Sequence, residues 1–311
     1  MKLLIYCAGV LGSHLAHTLH TAGHDVTVLA RGQRFETLKN NGLKIRHYLQ
    51  HKTTIDNIKV TDRLNINDEY DLVFVVMQYQ QTEKVLPYVA ENMKTKNFAF
   101  IGNNPFPEKT EKFIKRNSKV TKNVYFGFFM AAGRIEKDRV ISAHTGGKNS
   151  GSLIIGALGG ENLDIFKSLK GKIKLDIQTD INSWLKCHAI FVLPVCYAIY
   201  ACGGNLRKAS KQMNNDIIDA VIEGYDLIRS IGFIPAPPED ERLVKKHRVM
   251  AYAFIKFCAV TSVGQLMTSS HAMNATEEMC ALDEAIEILR KQSNIKMEKW
   301  DSLRKYIYNV K

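Results

Sequence analysis

Residues 1–34 constrain this chain more than any other stretch. An apolar run, Leu3-Leu4-Ile5-Tyr6, turns through Cys7-Ala8-Gly9-Val10-Leu11-Gly12 into a helix-like segment over 13–21. After Gly23-His24 a second apolar run, Val26-Thr27-Val28-Leu29-Ala30, ends at Arg31. Strand, glycine turn, helix and strand within about thirty residues is the size of one βαβ unit. In such a unit one glycine lets backbone N–H groups approach a pyrophosphate, and the helix turns its positive N-terminal end toward that anion. A further glycine lets helix and strand pack closely. Here these are Gly9 and Gly12, with Cys7, Ala8, Val10 and Leu11 completing the binding turn. Cys7 stands where the dinucleotide fingerprint has its first glycine. A small side chain is expected there at negative φ, where it costs little.

The end of the second strand selects the nucleotide. NAD-binding units place Asp or Glu about twenty residues past the glycines, to accept hydrogen bonds from the ribose 2′-hydroxyl. This chain has Arg31 there, then Arg34, and no carboxylate until Glu36. Guanidinium groups beside a 2′-oxygen suit a phosphate, which they grip bidentately, so NADP is favoured over NAD.

Further strands follow. The continuous apolar run over 71–77 reads as a buried parallel strand leading into Gln78, and Phe98-Ala99-Phe100-Ile101 as the next, leading into Gly102-Asn103. Ligands of open parallel sheets bind beyond the carboxyl ends of the strands, so the loops at Cys7, Arg31, Gln78 and Asn103 are expected around one crevice. A single long strand is expected over 124–132, and two more over 140–147 and 151–155. From Asn182 onward the pattern turns helical, including one segment over 183–201 and another over 243–267. The expected organisation is an α/β, Rossmann-type domain over 1–178 followed by an all-helical substrate and catalytic domain over 179–311.

The net charge of +12 raises nucleic-acid binding. The basic residues are scattered without interleaved aromatics, however, and read as solvated faces. Six cysteines show no C-x-x-C pair and no metal-ligand spacing, which suits a reducing cytoplasm and implies no metal. The apolar stretch over 189–201 is too short for a membrane span and contains Pro194. The expectation is a cytoplasmic protein with a small anionic substrate and neither nucleic-acid nor membrane partner, with a homodimer as the candidate assembly.

Taken in order, several segments resemble the ketopantoate reductase (2-dehydropantoate 2-reductase) family. They are A-G-V-L-G, G-H-D-V-T-V-L-A-R, D-L-V-F-V-V, I-G-N-N, A-H-T-G-G, W-L-K and S-S-H-A-M-N-A-T-E-E-M. The resemblance implies a dinucleotide-binding domain followed by a helical domain like that of 6-phosphogluconate dehydrogenase. It also implies NADPH-dependent reduction of a 2-oxo acid, with 2-dehydropantoate to pantoate, a step of pantothenate biosynthesis, as the leading reaction.

By the same resemblance Lys186 stands at the family's catalytic lysine and Glu278 at its glutamate, with Glu277 a rival in register. Asn103 matches an asparagine beside nicotinamide and substrate, and Ser269 or Ser270 a serine for the substrate carboxylate. Gln78 replaces a lysine that the family commonly carries after its third parallel strand. Ile190 and Pro194 replace two asparagines that contact ketopantoate. Amides lost from a site cost it discrimination among hydroxylated substrates. The alternatives are therefore a reductase of a less polar ketone, or a catalytically silent NADP-binding sensor.

Overall fold

The structure, a computed structural model, describes residues 1–143, 152–169 and 173–310. Most of the A-H-T-G-G segment, from His144 on, lies outside the described residues. The chain divides into two compact units, Met1–Gly102 with Pro107–Ile181, and Asn103–Phe106 with Asn182–Lys311. The short segment Asn103–Phe106, expected in the first domain, thus groups with the helical unit.

The first unit carries strands β1 (Lys2–Tyr6), β2 (Asp25–Leu29), β3 (Leu43–His47), β4 (Lys52–Asp56), β5 (Lys59–Thr61) and β6 (Leu72–Val76). They continue as β7 (Asn97–Ile101), β8 (Asn123–Phe129), β9 (Ala132–Glu136), β10 (Arg139–Ala143), β11 (Ser152–Ala157) and β12 (Lys174–Ile177). Strands β5-β2-β1-β6-β7-β8 lie side by side and parallel. Counted in chain order within that parallel set, this is the 3-2-1-4-5-6 arrangement of dinucleotide-binding sheets. The order reverses between β1 and β6, and the chain leaves their carboxyl ends at Cys7 and Met77-Gln78.

The apolar runs are continuous because these strands are covered on both faces: all five residues of β6 are buried, and four of five in β1. Each such Val, Leu or Phe contributes about 1.5–3 kcal/mol relative to an exposed position. Strand β11 joins β8 antiparallel and β12 extends it. The long strand expected over 124–132 is instead two, β8 in this sheet and β9 in a second sheet of order β4-β3-β10-β9. The strand expected over 140–147 is seen as β10, its remainder lying outside the described residues.

The helical unit is built on the helix Ile181–Ala201, which buries most of its length. Tyr197 Oη donates to Asp283 Oδ1 at 2.7 Å on the helix Thr276–Arg290, and Arg304 grips both oxygens of the same carboxylate. The Tyr197 ring meets Trp300 edge to face at 5.6 Å. Tyr200 Oη donates to the Ala272 carbonyl at 3.0 Å. On the helix Lys211–Ser230, Gly224 leaves room for Ile190: a Cβ at Gly224 would lie 2.4 Å from Ile190 Cγ2. The single helix expected over 243–267 is broken into Arg248–Val260 and Ser262–Met267, preceded by Pro238–Lys246. Thr261 interrupts it because its Oγ1 caps the later helix, accepting from Gly264 N–H at 2.9 Å.

Candidate active site

In the first unit, Gly9 is the N-cap of the helix Val10–Thr21, and its carbonyl accepts from Ser13 N–H at 2.9 Å. A Cβ at Gly9 would meet nothing within 4 Å, so the space before this helix end is open. At Gly12 a Cβ would strike the Cys7 carbonyl at 2.1 Å, the close helix–strand approach that a third fingerprint glycine permits. An open cradle, a helix N-terminus with Val10 and Leu11 in its first turn, and the reversal of strand order beside it fit a dinucleotide pyrophosphate. Cys7 departs from expectation: its φ is +95°, so the position does require what glycine provides. Burial pushes the Cys7 thiol pKa up, partly offset by the Gly9 N–H and by Arg34 and Arg31.

The two arginines do different work. Arg31 Nη2 donates to Tyr6 Oη at 2.9 Å, and its guanidinium lies 5.8 Å from the Tyr88 ring centroid. Arg34 turns back onto the glycine turn, donating from Nε to the Ala8 carbonyl and from Nη2 to Ser13 Oγ, each at 3.3 Å. Arg31 is therefore the arginine at the end of β2, while Arg34 holds the turn itself. Gln78 Oε1 accepts from Gln80 Nε2 at 3.0 Å and Gln81 Nε2 at 3.3 Å, forming an amide cluster at the carboxyl end of β6.

In the helical unit, Lys186 is buried to 1% exposure. Its Nζ donates to Asn182 Oδ1 one turn earlier, and lies 4.6 Å from the Phe233 ring centroid and 5.9 Å from that of Phe106. Glu278 is buried while Glu277 is exposed. Asn103 Nδ2 donates to Glu278 Oε1 at 3.0 Å. The segment Asn103–Phe106 thus touches both Glu278, through its first residue, and Lys186, through its last. Glu278 also faces the later turns of the long helix, where burial and the Glu278 carboxylate push the Cys196 thiol up to about 12.

Asn103 Oδ1 and Ser269 Oγ are among the described buried side-chain atoms that have no hydrogen-bond partner. Such atoms are costly unless something else satisfies them. Ser270 is less buried, and its carbonyl accepts from Asn274 Nδ2 at 2.6 Å. Pro194 is buried within the long helix. Ile190, one helical turn beyond Lys186, is fully buried and packs against Gly224. Asn182, Phe106 and Phe233 were not singled out from sequence. Only Asn182 carried a signal, the i, i+4 spacing to Lys186.

A dinucleotide-type parallel sheet followed in the chain by a helical unit with a buried lysine defines a nicotinamide-dependent oxidoreductase. The family model described as ketopantoate reductase PanE/ApbA matches residues 3–160, and the chain belongs to that family, whose members act on CH–OH groups. The 2-dehydropantoate 2-reductase of Lactococcus lactis subsp. lactis is 22% identical over 141 residues, a match covering 44% of this chain and 43% of that protein. Two solved structures share the fold. D-mandelate dehydrogenase in a ternary structure with NADH and anilino(oxo)acetate gives a TM-score of 0.76 at 16% identity, covering 99% of this chain and 97% of that one. The 2-dehydropantoate 2-reductase of Methylococcus capsulatus gives 0.73 at 16% identity, covering 100% and 96%.

Proposed function

We propose that the protein reduces the ketone of a 2-oxo acid to the 2-hydroxy acid at the expense of NADPH, with 2-dehydropantoate the leading substrate. The Gly9–Gly12 turn would hold the cofactor's pyrophosphate and Arg31 its 2′-phosphate, and NADPH would supply the hydride. As the carbonyl carbon gains that hydride, negative charge develops on the carbonyl oxygen. An ammonium beside it stabilises the charge and delivers the proton that completes the alcohol. Lys186 is the residue for this work, and Asn182 fixes its Nζ. Asn103 holds Glu278 and keeps a carbonyl oxygen available for a substrate hydroxyl, while Ser269 Oγ offers a hydrogen bond to the carboxylate. The observation that carries the reading is a buried lysine whose Nζ is held by Asn182, in the same unit as the buried hydrogen bond between Asn103 and Glu278.

A second reading keeps the chemistry and changes the substrate to a less polar 2-oxo acid. The rings of Phe233 and Phe106 around Lys186, with Ile190 and Pro194 where amides would read hydroxyls, favour it, and D-mandelate dehydrogenase shares the fold. The deciding experiment follows NADPH oxidation with 2-dehydropantoate beside a panel of aliphatic and aryl 2-oxo acids, with NADH in parallel. Saturable turnover of 2-dehydropantoate abolished by Lys186→Ala supports the first reading. Preference for an aryl or branched 2-oxo acid supports the second. Tight NADPH binding with no turnover across the panel refutes both and leaves a nucleotide-binding role.

A further inference from the structure

We propose that Phe233 is a positioning residue for Lys186, an inference that rests on Lys186 acting at the substrate carbonyl. The ring is presented by a backbone with little freedom. The helix Lys211–Ser230 ends with Ile231 N–H donating to the Leu227 carbonyl at 3.2 Å and Gly232 N–H to that of Arg229 at 3.0 Å. Phe233 N–H then donates to the Ile228 carbonyl at 3.1 Å. Gly232 takes φ +90°, the left-handed turn that lets this closing pattern form. Directly beyond lie Pro235, Pro237 and Pro238, each with its φ fixed by its own ring. Phe233 is therefore pinned from both sides, and its ring centroid lies 4.6 Å from Lys186 Nζ.

The choice of an aromatic partner matters chemically. A ring face attracts an ammonium through its quadrupole, most strongly where water is excluded, as it is at a lysine with 1% exposure. Unlike a carboxylate, a phenyl ring cannot take the proton. It holds the cation in place while leaving that proton for the carbonyl oxygen. Phe106 contributes a second, more distant face at 5.9 Å. A leucine in place of Phe233 fills similar space but has no such face, so it separates attraction from packing.

The test compares Phe233→Leu and Phe233→Tyr in the parent protein and in a Lys186→Met background. The parent Phe233→Leu variant is expected to lose roughly ten- to thirtyfold in kcat, with KM for the oxo acid little changed. Phe233→Tyr restores the face and most of the rate. Thermal unfolding gives a readout independent of turnover. Phe233→Leu should lower Tm in the parent clearly more than in Lys186→Met, where no ammonium remains to lose. Equal Tm losses in the two backgrounds overturn the proposal, as does thermal coupling with an unchanged kcat in Phe233→Leu. Turnover that survives Lys186→Ala would instead sink the role assigned to the lysine, a distinguishable failure.

Discussion

Asn103 and Glu278, 175 residues apart in the chain, meet through one hydrogen bond of 3.0 Å in a buried setting. A buried carboxylate tolerates burial only while donors satisfy it, and removing a donor costs about 1–3 kcal/mol. Asn103→Ala is expected to lower Tm by several degrees and kcat/KM by at least about tenfold. Asn103→Asp should be worse than alanine, because it sets a second carboxylate against Glu278. Thermal unfolding and steady-state kinetics on the two variants check this ordering; an aspartate variant as stable as the parent would refute it.

Arg31 and Arg34 should separate in a cofactor titration. Arg31 sits at the end of β2 against Tyr6 and Tyr88, where a 2′-phosphate is proposed to bind. Arg31→Ala is expected to weaken NADPH roughly ten- to a hundredfold while leaving NADH nearly unchanged, since only one of them carries that phosphate. Arg34 instead braces the Ala8 carbonyl and Ser13 Oγ. Arg34→Ala should therefore weaken both cofactors by a similar factor. Fluorescence titration of each variant with each nucleotide decides. An Arg31→Ala variant that loses NADH as badly as NADPH would remove the case for NADP.

Much of this architecture is legible in the residues, and for a physical reason. Strands covered on both faces must be apolar throughout, so β1, β6 and β7 announce themselves as runs, and Gly12 marks a close approach that no other residue allows. What the sequence hides is what distant parts of the chain impose. The run over 124–132 looks uniform, yet Ala132 leaves with β9 to pair with β10, a partner that local patterning cannot supply. Glu277 and Glu278 are neighbours in composition and differ only in which way the helix Thr276–Arg290 turns them. Ile190 packs against Gly224 on another helix, a neighbour that local patterning does not name. Phe233 reaches Lys186 from a helix end with no spacing rule to betray it.

Cys7 carries strain at the cofactor turn. A φ of +95° is costly for a residue with a Cβ, about 1–3 kcal/mol, and glycine would remove that cost. Cys7→Gly is expected to raise Tm by a few degrees with NADPH affinity kept or improved, whereas Cys7→Val should destabilise strongly. Differential scanning fluorimetry with and without NADPH is sufficient. A glycine variant that unfolds earlier than the parent would show that the thiol's packing outweighs the strain.

His188 sets an acid limit on the helical unit. Its ring stacks on Trp184 at 5.0 Å, and burial, with the charge of His271 nearby, pushes its pKa down from 6.5 to about 4. Between those two values the unfolded chain binds a proton at this residue and the folded chain does not, so folding stability rises with pH there. Stability from the neutral ring is thus fully present above about pH 6.5 and is lost as pH falls toward 4. The shift corresponds to at most about 3 kcal/mol. His188→Gln has no charge to gain. Its Tm should fall less than the parent's between pH 7 and pH 4.5, while at pH 7 it should be the less stable of the two through lost stacking. Parallel slopes for the two proteins across that interval would place the acid sensitivity elsewhere.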